Sequence, residues 1–193
     1  MRPAVVLALL AAVLTAAATA AISQARSDGV ALIQPGRSIG KLRLGMTPAE
    51  ARRAMGRPTL TTSRRAGFGL VIADWEYGYA QYTVRFAGRP GRLRATRIAT
   101  TVPRERTSRR VGAGSLERAV RRAYPALRCE PLKTQRHGSV QLVTMIQRDC
   151  TLFGPAGRTI FTTDVFERMF EVITPQAWSR RAQVIEVSVV VPN

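Results

Sequence analysis

Apolar and polar positions in the first half of the chain follow the pattern of one helix and three strands. The helix is predicted to begin at Pro48, because Thr47 suits the N-cap position and Glu50 completes a capping box three residues later. Gly56 ends this helix. Period-two alternation then predicts strands, joined by short turns as an antiparallel meander, over 74–79, 81–86 and 93–102.

The second half repeats this order of elements. Ser115 is a suitable N-cap for a helix over 116–124, and Pro125 ends that helix. Residues 174–178 fit either a helical turn or an ordered loop. Further strands are predicted over 139–147, 158–166 and 182–191.

The last predicted strand carries apolar residues on both faces. Strict alternation places Val184 on the face opposite to Val187 and Val189. Apolar side chains on both faces indicate a central strand that is covered in part on each side.

These patterns predict an α+β fold built as a tandem repeat of a short helix followed by an antiparallel β-meander. The linker between the two repeats is polar and basic, and we expect it to be exposed. The predicted organisation is a signal peptide at 1–25, a first repeat at 26–103, the basic linker at 104–110 and a second repeat at 111–193.

The N-terminal segment has the features of an export signal. Arg2 precedes an uncharged stretch from Pro3 to Ile22, and small residues at Ala18 and Ala20 form a signal-peptidase pattern. Ser23-Gln24-Ala25 offers a second such pattern. We therefore expect a secreted or envelope-associated protein. The alternative is an uncleaved anchor, since about 20 apolar residues can cross a bilayer.

Composition narrows the class of protein. The 193 residues include 30 Lys+Arg, 12 Asp+Glu and 1 His, for a formal net charge of +18, while the hydrophobic fraction of 46% is ordinary. These values exclude collagen, a coiled coil, a disulfide-dense mini-protein and a polytopic membrane protein. One His and two Cys leave few groups for chemistry, so we expect no enzyme, no cofactor and no metal.

The two cysteines, Cys129 and Cys150, both lie in the predicted mature chain. In an oxidising compartment such a pair is expected to form one disulfide. The alternative is two buried free thiols. Zinc needs about four ligands, and His137 is the one histidine that could join the thiols.

The sequence around the first helix resembles a known repeat. The relevant residues are Gly40, Leu42, Leu44-Gly45-Met46-Thr47 and Ala49-Glu50, followed by Gly56 and Pro58. They resemble the repeat of β-lactamase-inhibitor-protein-like domains and of small outer-membrane-assembly lipoproteins with the same helix-plus-meander build. Residues 112–125 resemble a degenerate second copy.

This resemblance implies a secreted, non-enzymatic module that binds another protein through a curved sheet with exposed aromatic residues. A cysteine pair in the second repeat is also a feature of the inhibitor proteins, which suits Cys129 and Cys150. The chain departs from that family in lacking a first-repeat cysteine pair and in being far more basic.

Catalytic patterns are scarce. His137 lies in a predicted turn, and a lone histidine there is most simply a turn residue. Asp74 and Glu76 lie two apart on one strand face, so a paired-carboxylate hydrolase is conceivable. Because arginines abound to neutralise the two acids, a solvated strand face is the simpler interpretation.

Aromatic residues are the candidates for a binding surface. Trp75, Tyr77 and Tyr79 alternate with acids and are predicted to share one strand face, with Tyr82 on the next strand. This face forms the core if the acids face water. If the acids pair with helix arginines instead, the aromatic face is open, and exposed Trp and Tyr dominate binding hot spots.

The positive charge points to anionic partners. Exported proteins meet anionic lipid head groups and wall polymers rather than nucleic acid, and arginine binds phosphate and carboxylate bidentately. Arg121 and Arg122 on the second helix are candidates, among clusters that are scattered along the chain. The alternative is that the charge serves only solubility.

Three functions therefore stand as hypotheses. The first is a non-enzymatic module that binds an unknown extracytoplasmic protein through its sheet. The second is an envelope accessory protein that binds anionic polymers or lipid head groups electrostatically. The third, with the least support, is a hydrolase that uses Asp74 and Glu76, or His137.

Overall fold

The computed structural model describes residues 32–137, 140–143, 147–165 and 174–192. The predicted signal peptide at 1–25 lies outside the described residues. Among the described helices, none is long and apolar enough to span a membrane.

The described chain begins with a small sheet and a capped helix. Its strands are β1 (Leu32–Gln34), β2 (Ser38–Ile39) and β3 (Leu42–Arg43), followed by helix α1 (Pro48–Met55). The predicted capping box is present: the Glu50 amide donates to Thr47 Oγ1 (3.2 Å), and the Thr47 amide donates to Glu50 Oε2 (2.7 Å).

A four-stranded antiparallel meander follows α1. Its strands are β4 (Leu60–Ala66), β5 (Leu70–Tyr77), β6 (Tyr82–Gly88) and β7 (Arg94–Thr100). Strand β4 was not predicted, because six of its seven residues are exposed and no alternation marks it. Strand β5 begins at Leu70 rather than Asp74, and it ends before Tyr79, which lies in the turn with φ +54°.

The second half contains two helices among its strands. In chain order these elements are β8 (Arg106–Thr107), α2 (Glu117–Ala123), β9 (Arg128–Cys129), β10 (Thr134–His137), β11 (Val140–Val143), β12 (Arg148–Gly154), β13 (Gly157–Asp164), α3 (Pro175–Arg181) and β14 (Gln183–Val190). Residues 174–178 thus begin a helix, and Thr174 caps it by accepting from the Ala177 amide (3.2 Å).

The predicted cap of α2 is wrong. Leu116 occupies the N-cap position without a side-chain hydrogen bond. The Ser115 hydroxyl instead accepts from the Gly112 amide (3.1 Å) and from Arg106 Nη1 (2.7 Å). Ser115 therefore tightens the turn before the helix instead of capping the helix itself.

The large sheet joins both halves of the chain. Its eight strands lie in the order β4-β5-β6-β7-β14-β13-β12-β9, with antiparallel pairing throughout. Strand β14 pairs with β7 and β13, which confirms that the last strand is central. The observed elements make this an α+β fold, as predicted.

A register shift in β14 explains why the predicted orientation of Val184 is wrong. The pairing of β13 with β14 shifts between Thr162 and Thr163, so that Val184 and Glu186 face successive residues of β13. This irregularity rotates Val184 into the core beside Val187, whereas strict alternation places it opposite.

One face of the large sheet forms the core. Buried aromatic and aliphatic side chains, including Phe86, Phe161 and Val187, pack in one cluster with Ala51 of α1 and Val120 of α2. The first small strands contribute to the same cluster through their buried apolar residues. The helices and the small sheet therefore cover one side of the large sheet and leave the other side open.

The segment 104–110 is not a simple exposed linker. Its residues 106–107 form β8, which pairs in parallel with β1. Glu105 and Thr107 are buried. The prediction of exposure holds for Arg104 and for 108–110 but was wrong for Glu105 and Thr107, because this pairing draws the middle of the segment against the core.

The predicted disulfide is confirmed. Cys129 of β9 and Cys150 of β12 lie opposite each other in the sheet and are bonded. The bridge ties the edge strand β9, which is two residues long, to its neighbour.

Candidate binding surface

The uncovered side of the large sheet carries polar side chains in register across its strands. We call it the open face. Four of the described acids lie on it, together with the arginines of the central strands. The polar residues that line its cavities are Thr62, Asp74, Glu76, Thr83, Arg85, Thr96, Arg97, Asp149, Arg158, Thr162, Glu186 and Ser188.

Two ion pairs cross the centre of the open face. Arg85 donates to Asp74 through Nε (2.7 Å) and Nη2 (3.3 Å), a bidentate contact between β6 and β5. This contact raises the pKa of the Arg85 guanidinium. Arg97 of β7 donates to Glu186 of β14 and so spans the seam between the two halves of the sheet.

These pairs contribute little to folding. The Arg85 and Asp74 side chains are 41% and 36% exposed, and exposed pairs typically contribute only about 0.2–1 kcal/mol. Their effect is to fix the direction of each charge, through a bidentate contact in Arg85–Asp74 and a single contact in Arg97–Glu186.

Two cavities of opposite charge lie side by side on the open face. One, of about 370 Å³, is lined by the carboxylates of Asp74, Glu76 and Glu186. The other, of about 350 Å³, is lined by Arg158 and Asp149. Arg85 and Arg97 line both cavities. The first is therefore acidic and the second basic.

The basic cavity has a polar wall. Thr162 donates to Asp149 Oδ1 (2.8 Å), which orients that carboxylate. The Ser188 hydroxyl is buried and has no hydrogen-bond partner among the described residues. A buried hydroxyl without a partner is unusual in a native protein, because its desolvation is then uncompensated.

Most of these residues escaped the sequence analysis. Glu186 is the one acid in an otherwise apolar strand, which was an available signal. Arg97 and Asp149 carried no signal, because their partners become visible only when the strand register is known. The predicted pair Asp74 and Glu76 does lie on the solvated face, but Asp74 is held by Arg85.

Two of the aromatic candidates are in the core. Trp75 is 9% exposed and Tyr77 is 4% exposed. Trp75 packs edge-on against Phe86, with ring centroids 5.0 Å apart, and the Arg52 guanidinium covers its ring. Burial also raises the pKa of the Tyr77 phenol. The interpretation of these residues as core is therefore correct, and they do not form a binding surface.

The other aromatic candidates differ in position, since Tyr82 lies opposite Tyr77 on β6 and packs against the core, whereas Tyr79 lies in the turn. Tyr79 is 97% exposed at the tip of the β5–β6 turn. The Tyr82 hydroxyl donates to the buried Glu105 carboxylate. Burial and this hydrogen bond together raise the pKa of Tyr82 to about 12. Burial also raises the pKa of Glu105, whose second oxygen has no partner.

The arginine candidates on α2 have different surroundings. Arg121 pairs with Glu117 one turn earlier, through Nε at 2.8 Å from Oε1. Arg122 is exposed. Neither residue borders the cavities of the open face. The backbone of His137 lies in β10, and its side chain is not described.

The sequence analysis missed Glu117, a buried residue whose carboxylate links four elements of the second half. It is 4% exposed. Its carboxylate accepts from Arg121, from Arg148 Nη1 (3.1 Å), from Thr163 Oγ1 (3.1 Å) and from Trp178 Nε1 (3.2 Å). Four donors from α2, β12, β13 and α3 thus meet at one carboxylate.

Glu117 also lies close to the disulfide. Potential ligand atoms of Glu117, Cys129 and Cys150 lie within 4.8 Å of one another. The two sulfurs are bonded to each other, however, and the carboxylate already accepts from two arginines. Glu117, Cys129 and Cys150 therefore suit a structural role, in which they join neighbouring elements, rather than a metal site.

Outside the open face, the described surface is strongly basic. The described acids that line neither cavity of the open face are Glu50, Glu105, Glu117, Glu130 and Asp164, and of these Glu105 and Glu117 are buried. Most of the arginines lie on this side or on the connecting turns. The open face, with its four acids, is therefore the region where positive and negative charge are closest to balance.

Comparison with known proteins finds a solved structure with a similar fold and low sequence identity. No protein-family model matches the chain, and no curated protein matches it by sequence. The crystal structure of the uncharacterized protein YfeY from Escherichia coli is similar, with a TM-score of 0.50 and 12% sequence identity over 80% of this chain and 97% of that chain. The similarity shows a shared fold and carries no statement about function.

Proposed function

We propose that the protein is a non-enzymatic module that binds another protein through the open face of its large sheet. The observation that carries this proposal is the paired arrangement of an acidic and a basic cavity on either side of Arg85 and Arg97. Such a surface suits a protein partner, because a partner can present complementary charges to both cavities at once.

The charge distribution supports a protein partner over a simple polyanion. A polyanion is attracted to the basic side of the molecule and repelled by Asp74, Glu76 and Glu186. The two ion pairs reduce the conformational entropy lost on binding, since four side chains are already held in place. Specificity then comes from matched charge positions rather than from total charge.

The strand order supports a duplicated build. Helix α1 precedes β4-β5-β6-β7, and helix α2 precedes β9, β12, β13 and β14. In the sheet these two sets run outward from the β7–β14 seam in mirrored order. We propose that the two sets are repeats of one unit, as in the β-lactamase-inhibitor-protein-like domains that the sequence around α1 resembles. The open face then spans both units.

Export is part of this proposal. A disulfide, and no membrane-spanning helix among the described residues, are compatible with an extracytoplasmic protein. The basic surface then holds the module near an anionic envelope, while the open face engages the partner.

A charge swap tests the protein interface. The double variant Arg97→Glu/Glu186→Arg keeps an ion pair at this position and keeps the net charge of the protein. It exchanges the positions of the positive and negative charges of that pair on the open face. The matched control is Arg118→Glu/Glu130→Arg, which exchanges two exposed charges that line neither cavity of the open face. Each protein is immobilised and exposed to the exported proteins of the source organism at 0.5 M salt.

The expected result is one stoichiometric partner that the wild type and the control swap retain and the open-face swap loses. Exposed ion pairs are screened to a few ångströms at this salt concentration, so retention requires a fitted interface. Equal capture by all three proteins, or capture that vanishes for all at high salt, contradicts the proposal.

A further inference from the structure

The segment from β1 to α1 carries a second charged region, separate from the open face. Two cavities of about 610 and 630 Å³ lie along it. Arg37 and Arg43 line the first, while Lys41, Arg43 and Arg53 line the second. Because the cavities share Arg43 and Leu44, we treat them as one feature and call it the basic groove.

The four cations of the basic groove form no close ion pair among the described residues, although the charge of Arg53 lies near enough to Glu50 to interact with it. None of them lies within ion-pair distance of an acid in the described part of the chain. The one acid of the groove is Glu50, whose Oε2 already accepts from the amide (2.7 Å) and hydroxyl (2.8 Å) of Thr47. These hydrogen bonds lower the pKa of Glu50. The groove therefore retains a net charge of about +3 at neutral pH.

The backbone of the groove is held in place by contacts with the large sheet. The Gly36 amide donates to Thr159 Oγ1 (2.7 Å), and the Gly45 amide donates to the Ala95 carbonyl (2.8 Å). Gly36 lies so close to the β12–β13 hairpin that a Cβ atom there would be 2.6 Å from the Gly157 carbonyl oxygen. The segment that carries Arg37, Lys41 and Arg43 is thus tied to the large sheet, and Arg53 lies on the adjoining helix α1.

We propose that the basic groove binds an extended molecule that carries anionic groups on neighbouring units, of the kind found in a polyphosphate chain. One anionic group lies between Arg37 and Arg43, and a second lies among Arg43, Lys41 and Arg53. Guanidinium groups bind phosphate oxygens bidentately, whereas a single small anion reaches only part of the set.

The shape of the site favours a chain over a membrane surface. A chain can lie along two adjoining cavities, whereas a flat bilayer meets only their rims. The exposed large hydrophobic residues of the described chain lie outside the groove lining, so insertion into lipid has no anchor there.

The test measures binding of tripolyphosphate, orthophosphate and citrate to the full chain by calorimetry at 0.15 M salt. The variant Arg37→Gln/Arg43→Gln/Arg53→Gln removes three charges from the groove. The control Arg64→Gln/Arg65→Gln/Arg89→Gln removes three charges from exposed positions elsewhere. Thermal unfolding verifies that both variants remain folded.

We expect tripolyphosphate to bind more tightly than orthophosphate, and the groove variant to lose about tenfold or more in affinity. The control is expected to change by less than about threefold. Citrate, a compact tricarboxylate, is expected to bind more weakly than tripolyphosphate; citrate that binds as tightly shows that a compact anion suffices and overturns the proposal of an extended chain.

Equal losses in the two variants overturn the proposal, because they indicate diffuse attraction. Binding to anionic phospholipid vesicles without binding to tripolyphosphate also overturns it. The open-face swap Arg97→Glu/Glu186→Arg shares no residue with the groove and should leave tripolyphosphate binding unchanged. Failure of the groove and failure of the protein interface are therefore distinguishable.

Discussion

Removing the Glu117 carboxylate is predicted to destabilise the second half of the protein strongly. This carboxylate is 4% exposed and accepts hydrogen bonds from donors on α2, β12, β13 and α3. Glu117→Ala leaves the guanidinium of Arg148, whose side chain is 12% exposed, without its ionic partner. Burial already lowers the pKa of Arg148, which shows that its charge is partly desolvated.

The expected magnitude follows from these contacts. Loss of one member of a buried ion pair costs about 3–5 kcal/mol. The Arg121 contact adds little, because that side chain is 43% exposed and such pairs contribute only about 0.2–1 kcal/mol. We therefore expect Glu117→Ala to lower the free energy of unfolding by about 4 kcal/mol. Glu117→Gln, which keeps the shape but turns a donor toward the arginines, should lower it by about 2 kcal/mol.

Urea unfolding followed by tryptophan fluorescence measures these changes. With a slope of about 2 kcal/mol per molar urea, Glu117→Ala should lower the midpoint by about 2 M. Glu76→Gln removes a partly exposed carboxylate that forms no ion pair among the described residues; it is the matched control and should change the free energy by less than about 0.5 kcal/mol.

A double-mutant cycle with Arg148→Met tests the reason for the loss. If the loss arises from a stranded charge, the cost of the double variant falls well below the sum of the two single costs. Strict additivity, or a Glu117→Gln variant as stable as the wild type, refutes the role assigned to this carboxylate.

Other predictions concern the bridge, one glycine and one phenol. Replacing Cys129 and Cys150 together by Ser should cost roughly 3 kcal/mol in urea unfolding, because a bridge across 21 residues restricts the unfolded chain; an unchanged midpoint contradicts this. Gly36→Ala should cost about 2 kcal/mol, since it combines φ +69° with a backbone clash, whereas Gly67→Ala, with open space around it, should be tolerated. Because the folded-state pKa of Tyr82 is raised from 10.0 to about 12, the native state holds its proton longer than the unfolded chain, so stability should fall as pH rises from 10 to 12. Tyr82→Phe should remove that part of the alkaline loss, and an unaltered pH profile shows that other groups cause it.

Local hydrogen bonding explains which elements were predictable. Helix α1 could be placed from Thr47 and Glu50, because a capping box involves only neighbouring residues. Strand β4 could not be found, since its exposed Thr, Ser and Arg side chains lack an apolar period. It is a strand because β5 pairs with it along its whole length.

Pairing between distant strands explains the remaining differences. The orientation of Val184 depends on the register shift opposite Thr162, which no alternation along one strand can show. In the same way, Glu105 reads as a solvated linker residue, yet the pairing of β8 with β1 buries it.

The candidate site was predictable only in part. Asp74 and Glu76 were found as a polar strand face, since their spacing alone defines it. The contact between Arg97 and Glu186 joins residues far apart in the chain, and it exists because β7 and β14 meet at the centre of the sheet. The basic and acidic cavities therefore depend on sheet topology rather than on any local motif.

Carboxylate footprinting tests the protein interface most directly. The captured partner is added at saturation, exposed carboxylates are modified with a carbodiimide and an amine, and labelling is quantified by mass spectrometry. Binding through the open face predicts reduced labelling of Glu76 and Glu186, with Glu50 and Glu130 labelled as in the free protein. Reduced labelling of Glu50 or Glu130, with Glu76 and Glu186 unchanged, would contradict the account.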